Sequence, residues 1–319
     1  MELISIPANP TPPGAVVGVI KAEDGIPLRF ARWRPPPGPR GTICLLQGRS
    51  EFIEKYFEVV RHLQARGFAV ATLDWRGQGL SQRGLSDARK GYVRRFSDYD
   101  RDLKALVNEV MLPDCPPPFF LLAHSMGGAI ALRALHSGRR WFERAVLSAP
   151  MIALAGRGST GMARNSMRAM RWAGLGGSYI PTGGATAVTA MPFAGNVLTS
   201  DPMRYERTGA IIEAAPELGL GSPTVAWLDT AYGAMAEFAK PSYPRTIRQP
   251  VLMIAAGQDA VVSTQAIEQF AIRMRAGAHV IVPGARHELM MEQDRLSGQF
   301  WAAFDAFIPG SAGYQAVEA

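Results

Sequence analysis

The sequence predicts an α/β protein in which a mostly parallel central sheet is flanked by helices and carries a helical cap as an insertion. Three observations lead there. Short, wholly apolar runs alternate with segments of helical spacing from residue 41 onward, as in sheets covered on both faces. One run, 119–124, breaks at His124-Ser125-Met126-Gly127-Gly128 and continues at once into an Ala- and Leu-rich helical stretch. The rhythm lapses over residues 151–245 and then resumes, and a structureless connection of that length is uncommon inside a compact domain. The expected division is therefore a core of 1–150 and 246–319 with a cap of 151–245.

The elements follow in order. Residues 1–14, rich in proline, are expected to form a loose lead-in. Residues 15–20 and 28–33 read as strands joined by a turn at Asp24-Gly25, and Pro35-Pro36-Pro37-Gly38-Pro39 ends that hairpin. Residues 41–46 form an apolar strand that empties into Gln47-Gly48-Arg49-Ser50-Glu51, followed by a helix over 54–66. Residues 68–73 are the next strand, ending in Asp74-Trp75-Arg76-Gly77-Gln78-Gly79-Leu80-Ser81, and a helix over 97–111 leads back to the strand at 119. A strand at 145–149 precedes the cap. After the cap come a strand at 251–256, a helix at 264–275, a strand at 279–282 and a closing helix at 294–307, with a loose tail from 310.

At 319 residues, 47% hydrophobic and 19% charged, the chain has the composition of a soluble globular protein. No apolar stretch approaches the roughly 18 residues of a membrane span, and the start lacks a basic region followed by an apolar one, so a cytoplasmic location is expected. The net charge of +7 is compatible with peripheral contact on the anionic inner face of a membrane, whereas no nucleic-acid motif is present. Cys44 in an apolar run and Cys115 in a Pro-rich loop indicate neither a disulfide nor a zinc site, and no metal or other cofactor is expected.

A serine at a sharp strand-to-helix turn has its hydroxyl pushed clear of the backbone, and the helix starting there offers free N–H groups to whatever the hydroxyl attacks. Ser125 holds that position. Ala123 and Gly127 are small where the two backbones pass closely. A serine needs a base, and the base needs a partner to fix its tautomer. Of five histidines, only His287 falls just past the end of the last strand, while Asp259 follows the 251–256 strand in the same way. Parallel sheets place such strand ends on one rim. The chain order Ser125, Asp259, His287 fits a nucleophile, an acid and a base meeting there. Backbone N–H groups of Met126 and Arg49 are the candidates for an oxyanion hole. The Arg49 guanidinium has two readings, an anionic head group or plain solvation.

Taken together, Gln47-Gly48-x-x-Glu51 with Tyr56, Asp74-x-Arg76-Gly77-x-Gly79-x-Ser81, His124-Ser125-Met126-Gly127-Gly128, Gly257-x-Asp259 and His287-Glu288 resemble the lysophospholipase and monoacylglycerol-lipase branch of the α/β hydrolases. Gln47 stands where histidine is common in that branch, and Ala123 where glycine is. The resemblance implies the α/β-hydrolase fold and metal-free hydrolysis of the ester of a single-chain acyl lipid, with Asp74 and Arg76 as scaffold.

The cap bears on the substrate. No acidic residue lies between Glu143 and Asp201, while Arg157, Arg164, Arg168 and Arg171 do, the last three at i, i+4 and i+7. Either these arginines are merely solvated, or they meet lipid phosphate on an interfacial helix. Met167, Met170, Met191 and Phe193 are candidates to line an acyl chain, although Met stripes also serve as plain core. The leading expectation is a lysophospholipase acting through an acyl-enzyme. A monoacylglycerol lipase or general carboxylesterase is the alternative, separable by a substrate panel. A non-catalytic lipid-binding scaffold is the third, and it would be expected to lack a member of the triad.

Overall fold

The computed structural model describes residues 2–35, 37–156, 160–187 and 191–310. Arg157 and the tail beyond residue 310 lie outside them. Among the described residues, eight strands form one sheet in the order β1-β2-β4-β3-β5-β6-β7-β8. The hairpin β1 (Ala15–Lys21) and β2 (Pro27–Trp33) is antiparallel, and β2 runs antiparallel to β4 (Ala69–Leu73). From there β3 (Thr42–Leu46), β5 (Phe119–His124), β6 (Ala145–Ser148), β7 (Val251–Ala256) and β8 (Gly277–Val282) pair in parallel. Every residue of β3, β4, β6 and β7 is buried, which is why these strands read as unbroken apolar runs rather than alternating ones.

Helices flank the sheet. Before β6 come α1 (Phe57–Ala65), α2 (Asp98–Leu106), short α3 (Leu112–Asp114) and α4 (Met126–His136). Between β6 and β7 lie α5 (Thr160–Trp172), α6 (Pro202–Ala214), α7 (Val225–Phe238) and short α8 (Tyr243–Thr246). The chain closes with α9 (Thr264–Ala271) and α10 (Asp294–Phe307). Among the described residues the β6–β7 segment adds no strand to the sheet. Arg66 joins α1 to α10 by an ion pair with Asp305 at 2.7 Å and lies over the Trp301 ring.

The structure departs from expectation at the lead-in. Ile4 N–H donates to a Glu54 carboxylate oxygen at 3.1 Å and Asn9 Nδ2 to the Glu54 carbonyl at 2.8 Å, so a segment read as loose is pinned to the body. Glu54 is itself fixed by a buried bidentate pair with Arg29, which also reaches Asp74. Asp74 further accepts from the N–H groups of Ile53 and Leu80. A Cβ at Gly79 would stand 2.1 Å from the Asp74 carboxyl carbon, so only glycine lets the loop close around this hub. Asp74 and Arg76, the latter paired with Asp102 and Asp24, tie strand ends and loops together.

Candidate active site

The carboxyl ends of the parallel strands supply the site. Ser125 sits between β5 and α4 with φ 50° and ψ −114°, a region non-glycine residues seldom occupy. Neighbours hold it there. Ser125 N–H donates to Ser148 C=O at 3.0 Å, and Ser125 C=O accepts from Met151 and Ala129. A Cβ on Gly127 would lie 2.5 Å from Leu46 O and 2.6 Å from Gln47 O, and one on Gly128 would lie 2.7 Å from Pro150 Cβ. The turn is tight because α4 crosses directly beneath the loop after β3.

His287 Nε2 lies 3.0 Å from Ser125 Oγ, and its Nδ1 lies 2.8 Å from Asp259 Oδ2. This fixes the tautomer by the network: Nδ1–H donates to the carboxylate, leaving Nε2 to accept the serine proton. The other Asp259 oxygen accepts from Val261 and Val262 N–H at 2.8 and 2.9 Å. Burial acts to raise the Asp259 carboxyl, but the His287 bond and these amides outweigh it and hold it below the usual range. The His287 loop is anchored in turn. Glu288 N–H donates to Leu198 C=O at 2.8 Å, and Glu292 accepts from Arg286 N–H and Ser200 N–H.

The two N–H groups expected to face an oxyanion lie on two elements. Met126, first residue of α4, has no acceptor one turn back for its N–H. Arg49 N–H has no protein acceptor among the described residues. Gly48 N–H, by contrast, is taken by Glu51 Oε2, which fixes the loop.

Behind that loop lies a charged cluster that sequence reasoning did not assemble. Lys55 Nζ donates to Glu51 Oε1 at 2.8 Å and to Glu288 Oε1 at 2.6 Å, and Tyr56 OH donates to Glu51 Oε2 at 2.7 Å, all buried. Burial opposes the charge on Glu51, yet the Lys55 ammonium, with the bonds from Lys55 and Tyr56, outweighs it and brings the carboxyl down to about 2. Burial likewise works against the Lys55 charge, and Glu288 and Glu51 reverse it. His124, its ring centroid 4.8 Å from that of His287, is pushed down to about 4 mainly by burial and stays neutral beside the base.

A cavity of about 230 Å³ opens at Ser125 and His287, with Met151, Leu154, Leu198, Trp227, Leu228 and Val262 as apolar wall. The four expected acyl contacts are elsewhere. Met167 and Met170 lie half-buried on α5, which packs against α7, and α7 rather than α5 faces the cavity through Trp227 and Leu228. Met191 and Phe193 line a separate surface hollow with Tyr205. Two of the three α5 arginines expected at lipid phosphate are engaged within the protein. Arg171 pairs with Asp229 of α7 at 2.9 Å, and Arg168 approaches the same carboxylate at 3.8 Å. Trp227 and Leu228 were missed because no local signal marks which helix of this segment faces the strand ends.

A nucleophile with a bonded base, a bonded orienting carboxylate and free N–H donors beside an apolar cavity can carry out acyl transfer. Comparisons agree with the geometry. The family model described as serine aminopeptidase, S33, a hydrolase family, matches residues 37–294. The chain is 32% identical over 285 residues to lysophospholipase L2 of Escherichia coli K12, covering 86% of this chain and 81% of that one. A 131-residue stretch, 40% of this chain and 44% of the relative, is 32% identical to the monoacylglycerol lipase of Mycolicibacterium smegmatis. In fold it is similar to a soluble variant of the Saccharomyces cerevisiae monoglyceride lipase, with a TM-score of 0.71 and 21% identity over 91% of this chain and 95% of that one. A family model that spans most of the sequence, on a sheet whose strand ends gather this triad, places the protein in the S33 family of α/β-hydrolase-fold serine hydrolases.

Proposed function

We propose that the protein is a lysophospholipase that cleaves the carboxylic ester of a single-chain acyl lipid through an acyl-enzyme. The observation that carries the reading is the Ser125–His287–Asp259 chain of hydrogen bonds, at 3.0 and 2.8 Å, opening on a cavity with an apolar wall. Ser125 Oγ attacks the ester carbonyl as His287 Nε2 takes its proton. The tetrahedral oxyanion is held by the N–H groups of Met126 and Arg49. His287 then protonates the leaving glycerol oxygen, and water repeats the sequence on the acyl-serine. Asp259 orients the imidazole and stabilises its cation. No step calls for a metal.

The site also argues against the peptidase activity that the family's description names. An aminopeptidase needs a carboxylate to hold the substrate's terminal ammonium, and the two acids at this cavity, Glu51 and Glu288, are both engaged by Lys55. A monoacylglycerol lipase is the second reading, favoured by the same apolar wall and by the monoacylglycerol lipase similarity. At about 230 Å³ the cavity is smaller than the roughly 300–1,000 Å³ of a drug-sized site, so a long acyl chain extends beyond it.

The same reading brings the protein to a lipid surface. Among the described residues no helix is long and apolar enough to cross a membrane. Trp172 at 84%, Met203 at 75% and Met162 at 69% exposure present apolar groups on the cap, and the net charge is +7. Peripheral contact with an anionic cytoplasmic face fits these features. The test is fatty-acid release from lysophosphatidylcholine and from monoacylglycerol of equal chain length, by wild type and Ser125→Ala. Release by the wild type that is lost in the variant supports the proposal, and equal release by both overturns it.

A further inference from the structure

One cation at the cavity has no counter-charge. Arg49 lines the cavity with Ser125, and its guanidinium donates to Ser50 Oγ at 2.8 Å and to Gly221 C=O at 2.8 Å while lying 5.1 Å from the centroid of the Trp227 ring. Both acceptors are neutral. Among the described residues no carboxylate comes within ion-pair distance of it, and its Nε is buried with no acceptor. The other cation of the cavity, Lys55, is matched by two carboxylates. A guanidinium carries five N–H donors in a planar fork, so capacity for an oxyanion is left over after these two bonds.

We propose that this guanidinium seats the phosphate of the substrate's head group, so that the enzyme prefers monoacyl glycerophospholipids to neutral monoacylglycerols. The inference rests on the ester-hydrolase reading and adds a head-group class to it. A single residue then serves both ends of a glycerophospholipid. Its backbone N–H faces the reacting carbonyl on one glycerol carbon, and its side chain meets the phosphate at the far end of the three-carbon backbone. Burial lowers the guanidinium only to about 10, so it stays cationic at neutral pH. Stacking on Trp227 and the bond to Gly221 hold the fork in place before substrate arrives, which limits the ordering cost of binding. The oxyanion on offer could belong to a lipid head group or to free phosphate, and the test separates them.

The readout is the ratio of kcat/KM for lysophosphatidylcholine to that for monoacylglycerol of the same chain, for wild type, Arg49→Lys and Arg49→Gln. Fluorophosphonate labelling of Ser125 and thermal melting select variants with an intact fold and site. The ratio should fall at least ~10-fold in Arg49→Gln, the size of one charge-assisted hydrogen bond, with Arg49→Lys between the two. An unchanged ratio overturns the proposal while leaving the hydrolase reading standing. Failure of the wild type to cleave either lipid sinks the underlying reading instead. In a second arm, glycerophosphocholine should inhibit cleavage of a neutral short-chain ester by the wild type and less so by Arg49→Gln. Equal inhibition by inorganic phosphate at the same concentration would assign the seat to free phosphate and overturn the head-group claim.

Discussion

Replacing Lys55 by Met keeps the aliphatic stem and removes the ammonium from the buried cluster that backs the oxyanion loop. Glu51 and Glu288 are then left facing one another with no cation, and all three side chains are at most 9% exposed. Removing one partner of such a buried pair costs about 3–5 kcal/mol, because the remaining charge stays desolvated. The pH dependence has a definite sign. In the wild type, the Glu51 carboxyl is held at about 2 against an ordinary 4.5, so its contribution is complete above pH 4.5 and fades as pH falls towards 2. In Lys55→Met the shift reverses: burial raises the carboxyl, the folded state binds the extra proton, and stability is lost as pH rises above 4.5. Urea unfolding of both proteins at several pH values from 5 to 8 measures this. The deficit of the variant should grow with pH and reach the range above. A deficit near 1 kcal/mol or less, as for an exposed pair, or one flat across pH, would refute the account of the cluster.

Three further outcomes are expected. Gly127→Ala forces a Cβ to within 2.5 Å of Leu46 O, a backbone atom that cannot turn aside, so it should destabilise the fold by about 1–3 kcal/mol or more and displace the oxyanion loop; a fully active, equally stable variant would contradict the packing. Asp259→Asn leaves the fold intact but presents His287 with the wrong partner, and kcat should drop about 10⁴-fold with little change in melting temperature. His124, at about 4, should show no titration between pH 5 and 8 by NMR. The unfolded chain binds its proton first, so His124 erodes stability as pH falls below 6.5 towards 4, and a midpoint near 6.5 in the folded protein would rule this out.

The sheet was legible in the sequence because strands buried on both faces are apolar throughout, as 251–256 shows residue for residue. The meeting of Ser125, Asp259 and His287 was legible too, since a parallel sheet sends every strand end to one rim. What could not be read depends on tertiary contacts. Lys55 lies at the start of the expected helix with nothing local to mark it as buried, and its pairing is completed by Glu288, 233 residues away. Arg168 and Arg171 look like a free cationic face until Asp229 of α7 is placed against them. The cavity wall escaped for a related reason. Periodicity gives the apolar side of a helix but not its neighbour, so it singled out Met167 and Met170 on α5, while Trp227 and Leu228 of α7 line the cavity. The lead-in looked loose because its anchor, Glu54, carries no local signature.

The central claim is that the hydroxyl of Ser125 carries the acyl group between substrate and water. Acid-quenching a reaction with lysophosphatidylcholine after a few milliseconds and mapping the digested peptides by mass spectrometry tests it directly. The account predicts a peptide containing Ser125 that is heavier by the substrate's acyl group, formed in the wild type and missing in Ser125→Ala. Steady turnover with the acyl group on another residue, or with none of it on the protein when deacylation is slowed, would contradict it.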